Sequence, residues 1–197
     1  MMRITRLSVA LLGALSLSAC LGGGKKVPPT LLTLTSSAPA PADLNRSAAP
    51  GQTITIDVPV IPKELSTTRV PAQVGPTAIA YVENLQWVES PDRLFQDLVQ
   101  ETVMRTTNRV VLDPRQSGFD PGVKLTGTLS RFGYDAQEGA VIVRYDAALN
   151  VPGAAQVQTR RFEARESANG TALTVGPALN SAANRVAAEV AQWVGNN

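Results

Sequence analysis

Apolar residues recur along this chain first at every second position, then at every third or fourth, and the two periods take turns. In Thr53–Val60 (TITIDVPV), Ile54, Ile56, Val58 and Val60 share one face, which predicts a half-buried strand. IPKEL follows as a turn or short helical piece, and TAIAYVE (Thr77–Glu83), entered through Gly75-Pro76, reads as a second strand. Over SPDRLFQDLVQETVMRTT the period lengthens. Leu94, Phe95, Leu98, Val99, Thr102 and Val103 make one stripe, with Arg93, Gln96, Asp97, Gln100 and Glu101 on the water side. Ser90 is placed to cap the first free amides, Pro91 suits the first helical position, and Asp92 complements the positive end.

RVVLD predicts a short strand, and DPRQSGFDPG an irregular loop. VKLTGTLSRFGYDA alternates through Leu129, then its apolar phase moves to Phe132 and Tyr134, which places a bulge near Ser130–Arg131. Gln137-Glu138-Gly139 turns into AVIVRYDAALNV, and after VPGAA comes QVQTRRFEARES, an outer strand with charges on its open face. Three strands joined by short turns imply an antiparallel meander. The chain closes on a helical stripe of Leu179, Ala182, Ala183, Val186, Ala187, Val190, Trp193 and Val194, whose alanines permit a close neighbour. The expected fold class is α+β, a mostly antiparallel sheet with two amphipathic helices on one face, preceded by a signal peptide and a flexible tether.

The first nineteen residues divide into a basic start (Arg3, Arg6), an apolar stretch too short for a stop-transfer helix, and a small-residue exit, the layout of a secretory signal peptide. Leu17-Ser18-Ala19-Cys20 resembles the lipobox of bacterial lipoproteins. That resemblance implies diacylglyceryl transfer to the Cys20 sulfur, cleavage after Ala19, and acylation, typically with palmitate, of the new amino terminus. Several chains at about 0.8 kcal/mol per buried CH₂ make release negligible. Leu21, where an aspartate would signal retention in the inner membrane, favours the periplasmic face of the outer membrane. The expected organisation is a leader at 1–19, a Gly/Pro/Ala/Ser-rich tether at 20–51 and a folded domain at 52–197. Within the tether, TLLTLT at 30–35 is a candidate first strand.

Charge narrows the function. Eighteen basic residues face sixteen acidic ones, and loss of Arg3 and Arg6 with the leader leaves sixteen of each, which argues against nucleic acid as a partner. There is no histidine and a single cysteine, so an internal disulfide is excluded and a serine hydrolase has no histidine base. No glycine-rich loop followed by Lys-Ser/Thr marks a nucleotide site. Neither catalytic nor metal-binding residues are assigned; Asp113, Asp120, Asp135, Glu138 and Asp146 read as solvated carboxylates of turns and polar strand faces. Three residues are candidates for binding a partner: Trp87, at a strand end, and Arg160 and Arg161, on the outer strand. Trp193 belongs to the core stripe.

The lipobox, ITIDVPVIPKEL, YVENLQWVESP leading into the first helix, the meander and the terminal helix together resemble the ABC-type transport auxiliary lipoproteins, companions of mammalian-cell-entry (MCE) lipid transporters. Two features depart from the pattern: Lys63-Glu64-Leu65-Ser66 lacks the aromatic and acidic pair common after that proline, and TLLTLT lacks an aromatic. The resemblance implies a non-enzymatic role with no cofactor beyond the covalent lipid on Cys20. An MCE-domain periplasmic protein and its ABC transporter would be the partners, and lipids or other hydrophobic molecules the cargo. The alternatives are a small lipid carrier, with a pocket between sheet and helices, and an accessory of outer-membrane assembly. The exposed edge strand and near-neutral charge permit a homo-oligomer without demanding one.

Overall fold

The computed structural model describes residues 30–197 apart from Ala42, Leu44, Pro50, Ser117, Phe119 and Pro121. Ala19 and Cys20, and the leader expected around them, lie outside the described residues. In chain order the elements are β1 (Thr53–Ile56), β2 (Arg69–Gly75), β3 (Ala78–Gln86), α1 (Pro91–Thr106), β4 (Val110–Leu112), β5 (Val123–Asp135), β6 (Ala140–Asn150), β7 (Gln158–Ser167) and α2 (Ala172–Gly195).

The long strand β5 organises the sheet. Its 13 residues extend about 40 Å at roughly 3.3 Å per residue. One edge is zipped to β6, and β6 to β7, in the expected antiparallel meander. The register of β5 on β6 shifts between Leu129 and Arg131, where the change of apolar phase placed the bulge. The other edge of β5 is shared end to end. β1 pairs with Val123–Leu125 and β2 with Tyr134–Asp135, both in parallel, and Val60 bridges to Thr128 between them. β4 lies outside β1 in parallel, and β3 outside β2 antiparallel. The sheet is therefore mixed, not mostly antiparallel as expected. The chain runs from β1 to β2 without reversing along β5, so both strands must share its direction. The crossover through α1 then returns β4 parallel to β1.

Both helices cover one face. Leu129, Tyr145 and Phe162 form a row across β5, β6 and β7. Phe95 of α1 sits on Tyr145 with ring centroids 5.2 Å apart, and Trp193 of α2 on Phe162 at 5.5 Å. Ala178, Ala182, Ala183, Ala187 and Ala191 of α2 are buried, which lets this helix lie close against its neighbours.

Several local expectations change. β1 ends at Ile56, and Val60 is 67% exposed. All four residues of β1 are buried, as suits a short strand flanked by parallel neighbours, and Asp57 leaves that environment to pair with Lys124. β2 was hidden by Pro71, which reads as a turn residue. It fits because position 133 is glycine: a Cβ there would stand 2.5 Å from the Pro71 carbonyl oxygen. Ser90 caps α1 through its backbone carbonyl, which accepts from Arg93 and Leu94, and not through its hydroxyl. Gln96, expected in water, is 7% exposed, and its Nε2 donates to the Ile56 carbonyl at 2.7 Å. In TLLTLT only Leu32 makes a bridge, so no strand forms there.

Candidate interaction surfaces

The amino-terminal segment is seated on the domain before β1 begins. Leu32 forms a one-residue parallel bridge beside Trp87. Its N–H donates to the Gln86 carbonyl and its own carbonyl accepts from the Val88 N–H, each at 2.8 Å. Beyond it, two asparagines one turn apart on α2 hold the backbone. The Thr35 N–H donates to Asn180 Oδ1 at 2.9 Å, and the Ser37 N–H donates to Asn184 Oδ1 at 2.7 Å. Asn184 Nδ2 donates in turn to the Thr35 carbonyl at 2.9 Å. Arg105 of α1 reaches the Ala38 carbonyl at 2.6 Å. The side-chain amides thus act as a short strand edge for a segment that has none beside it. Sequence reasoning missed this role. Its signal was two polar residues at an i,i+4 spacing beside an otherwise apolar stripe.

Trp87 lies in the core at 2% exposure, its ring 5.4 Å from that of Phe132, with its Nε1 buried and unpartnered in the structure. The indole presents no surface to a partner. Arg160 and Arg161 are not brought together. Strand alternation sends them to opposite faces of β7, as their register against Ala147 and Asp146 requires. Arg160 lies on the helix-covered side, its guanidinium 4.9 Å from the centroid of the Phe162 ring. Arg161 lies on the open side, paired with Asp146.

That open face is a lattice of opposite charges. Arg144 and Glu163 are cross-strand neighbours and pair, as do Asp146 and Arg161. Arg165 touches both Glu163 and Glu138, and Arg131 bonds Asp135 at 2.8 Å. The Arg161 guanidinium and the Ser130 hydroxyl hold the Asp146 carboxyl below its ordinary range. Burial opposes the charge on Asp135, yet Arg131 and the amides of Glu138 and Gln137 outweigh it and its carboxyl is also lowered. Asp113 is lowered by Arg115, and Asp120 by the Thr53 hydroxyl and the Gly51 amide. Of the five carboxylates singled out in sequence, Glu138 pairs with Arg165, and the four aspartates are held by other groups and lowered, the opposite of what a general acid needs. Among the described residues, no three acidic or thiol side chains gather as metal ligands.

Two depressions flank α2. One, about 650 Å³, lies where both helices end and is lined by polar groups including Thr107, Asn108, Arg109 and Gln192. The other, about 550 Å³, lies where α2 begins and is bounded by Val74, Ala80, Tyr81 and Leu173.

The match to known families decides the identity. The family described as "ABC-type transport auxiliary lipoprotein component" matches residues 32–191, which takes in all seven strands, α1 and all but the last turn of α2. The chain belongs to this family. Its members are auxiliary transport components and not a known class of enzyme, so this auxiliary lipoprotein is a transport-associated one. The match begins at the residue that bridges to Trp87. No curated protein matches. The fold is similar to the crystal structure of a Xanthomonas campestris protein of the DUF330 family. It is 16% identical, with a TM-score of 0.65 over 86% of this chain and 93% of that one. A second solved structure, of an uncharacterized protein, is also 16% identical, with a TM-score of 0.54 over 77% of this chain and 93% of that one. At such identity these likenesses concern the fold alone.

Proposed function

We propose that this chain is a lipid-anchored, non-enzymatic accessory of an ABC-type transport system, fixed through Cys20 to the periplasmic face of the outer membrane. There it meets an MCE-domain protein that bridges the envelope, and it assists the movement of lipids or other hydrophobic molecules. The family match across residues 32–191 carries the reading. A filled interior supports an adaptor over a carrier: Leu129, Val143, Phe162, Val186 and Val190 are essentially inaccessible, and buried alanines close the space under α2. The energy for transport would come from the ATPase of the partner system.

The test joins fractionation to capture. In cells carrying Cys20→Ser, the folded domain is expected in the soluble periplasmic fraction, with lipid-dependent envelope integrity weakened. Crosslinking the native protein in intact cells is expected to capture an MCE-domain protein. Unchanged fractionation of the variant overturns the anchor, and capture of outer-membrane assembly machinery overturns the transport role. Native mass spectrometry of delipidated protein is expected to find the fold empty; a retained lipid would make it a carrier.

A further inference from the structure

We propose that the free edge of β3 at residues 78–81 accepts an extended strand from a partner protein, with an apolar side chain of that strand entering the hollow beside Leu173. This deepens the accessory reading above and rests on it. The ladders fix which way the edge faces. The Ala136 N–H donates to the Gln73 carbonyl, so the backbone of Gln73 turns toward β5 and that of Ala72 toward β3. Ala72 pairs with Ala80, so Ile79 and Tyr81 point their N–H and carbonyl groups away from β2. Among the described residues nothing pairs with those groups.

The other edges of the sheet are defended against such pairing. β7 carries Arg160, Arg161, Glu163, Arg165 and Glu166, and Arg185 of α2 donates to the Arg165 carbonyl. β4 has only three residues. Residues 78–81 (AIAY) carry no charge. Apolar side chains border this edge on both faces of the sheet. Ile79, about half exposed, stands beside Pro71 and Gln73 on the open face. On the helix face, Ala80 and the half-exposed Val74 line the hollow with Leu173, which is 89% exposed in the first turn of α2. A strand added here alternates its side chains between the two faces while its backbone meets Ile79 and Tyr81. Main-chain bonds then supply affinity and the hollow supplies specificity. The edge already accepts a chain at its other end: past the bulge at Asn84, which has φ +55°, Leu32 pairs with Gln86 and Val88. A second copy of the chain fits less well. Antiparallel self-pairing about Ala80 sets that alanine against its own copy on the helix face, and a methyl group leaves the hollow beside Leu173 empty.

The experiment places a benzophenone amino acid at position 78, at 173 or, as a reference on β7, at 159, in the full chain in intact cells, and maps the photoadducts by mass spectrometry. Positions 78 and 173 are expected to label one stretch of a single other protein that 159 does not label. Ile79→Pro removes an outward N–H and leaves the ladder to β2 intact, as suits proline on an edge. It is expected to lower the adduct at 173 about fivefold, as loss of one hydrogen bond implies, while Ile79→Val keeps it. If Ile79→Pro does not fold, Ala80→Lys, which charges the edge, is expected to give the same loss. Adducts at 78 and 173 with phospholipid, with a second copy, or with residues 21–29 of this chain overturn the proposal, as does labelling that neither variant lowers or no adduct at all. The accessory reading is judged separately. A labelled protein outside any transport system leaves the edge standing and overturns that reading. A transport component captured only at 159 overturns the edge and leaves the reading standing.

Discussion

Leu32 accepts and donates backbone hydrogen bonds around Trp87, and its side chain fills the hollow over Gly176. The contact joins the amino-terminal segment to β3 and α2 at once. Leu32→Ala is expected to cost about 1–3 kcal/mol, because Leu32 is only partly buried and its loss leaves a partial cavity. Gly176→Ala, which crowds the Leu32 methyls, is expected to be less damaging in the Leu32→Ala chain by about 1 kcal/mol, as neighbouring sites couple. Urea unfolding of the two single variants and the double variant measures both quantities.

Gly127 leaves room for the Tyr145 ring beside β6. A Cβ at this position would lie 2.4 Å from the Asp146 carbonyl oxygen and 2.6 Å from the ring, so backbone and aromatic must both move. Gly127→Ala is expected to lose about 3 kcal/mol or more. Gly75→Ala is the control, since its Cβ would meet only Ala78 at 3.6 Å. Thermal melts should show a large fall for the first and a small change for the second.

Gln96 ties α1 to the end of β1 through a buried amide. Gln96→Leu removes that donor from the Ile56 carbonyl, with an expected cost of about 1–3 kcal/mol. Gln100→Leu, on the half-buried flank of the same helix, is expected to change stability far less. Chemical denaturation of the two variants separates buried from peripheral polarity.

Acid should loosen the open face of the sheet. The Asp135 and Asp146 carboxyls are lowered in the folded chain, so they bind protons less readily there than in the unfolded one. Their stabilisation is therefore complete above the unfolded carboxylate value near 4 and is lost as pH falls through the lower folded values. The urea midpoint is expected to drop below pH about 4. Asp135→Asn should lower the midpoint at pH 7 and flatten the acid limb, which a pH series of unfolding curves reads directly.

Much of this was legible locally. α1 begins at Pro91 as its proline and stripe predicted, and the bulge of β5 sits where the apolar phase changes. Of the three candidate partner residues, Trp87 went inside, and the adjacent Arg160 and Arg161 parted to opposite faces. Asn180 and Asn184 were passed over because an asparagine beside an apolar stripe looks like ordinary helix surface until an extended segment lies against it.

The sequence alone determined what depends on neighbours a few residues apart: both helices, the β5–β7 meander and its kink, and the resemblance that led to the family. Tertiary structure alone decided the parallel pairing of β1 and β2 along one edge of β5, the burial of Gln96, and the seat of Leu32 beside Trp87. Periodicity records which face of a segment avoids water. It carries no information about which distant segment will supply the missing hydrogen bonds, because that choice is made among all chain closures at once.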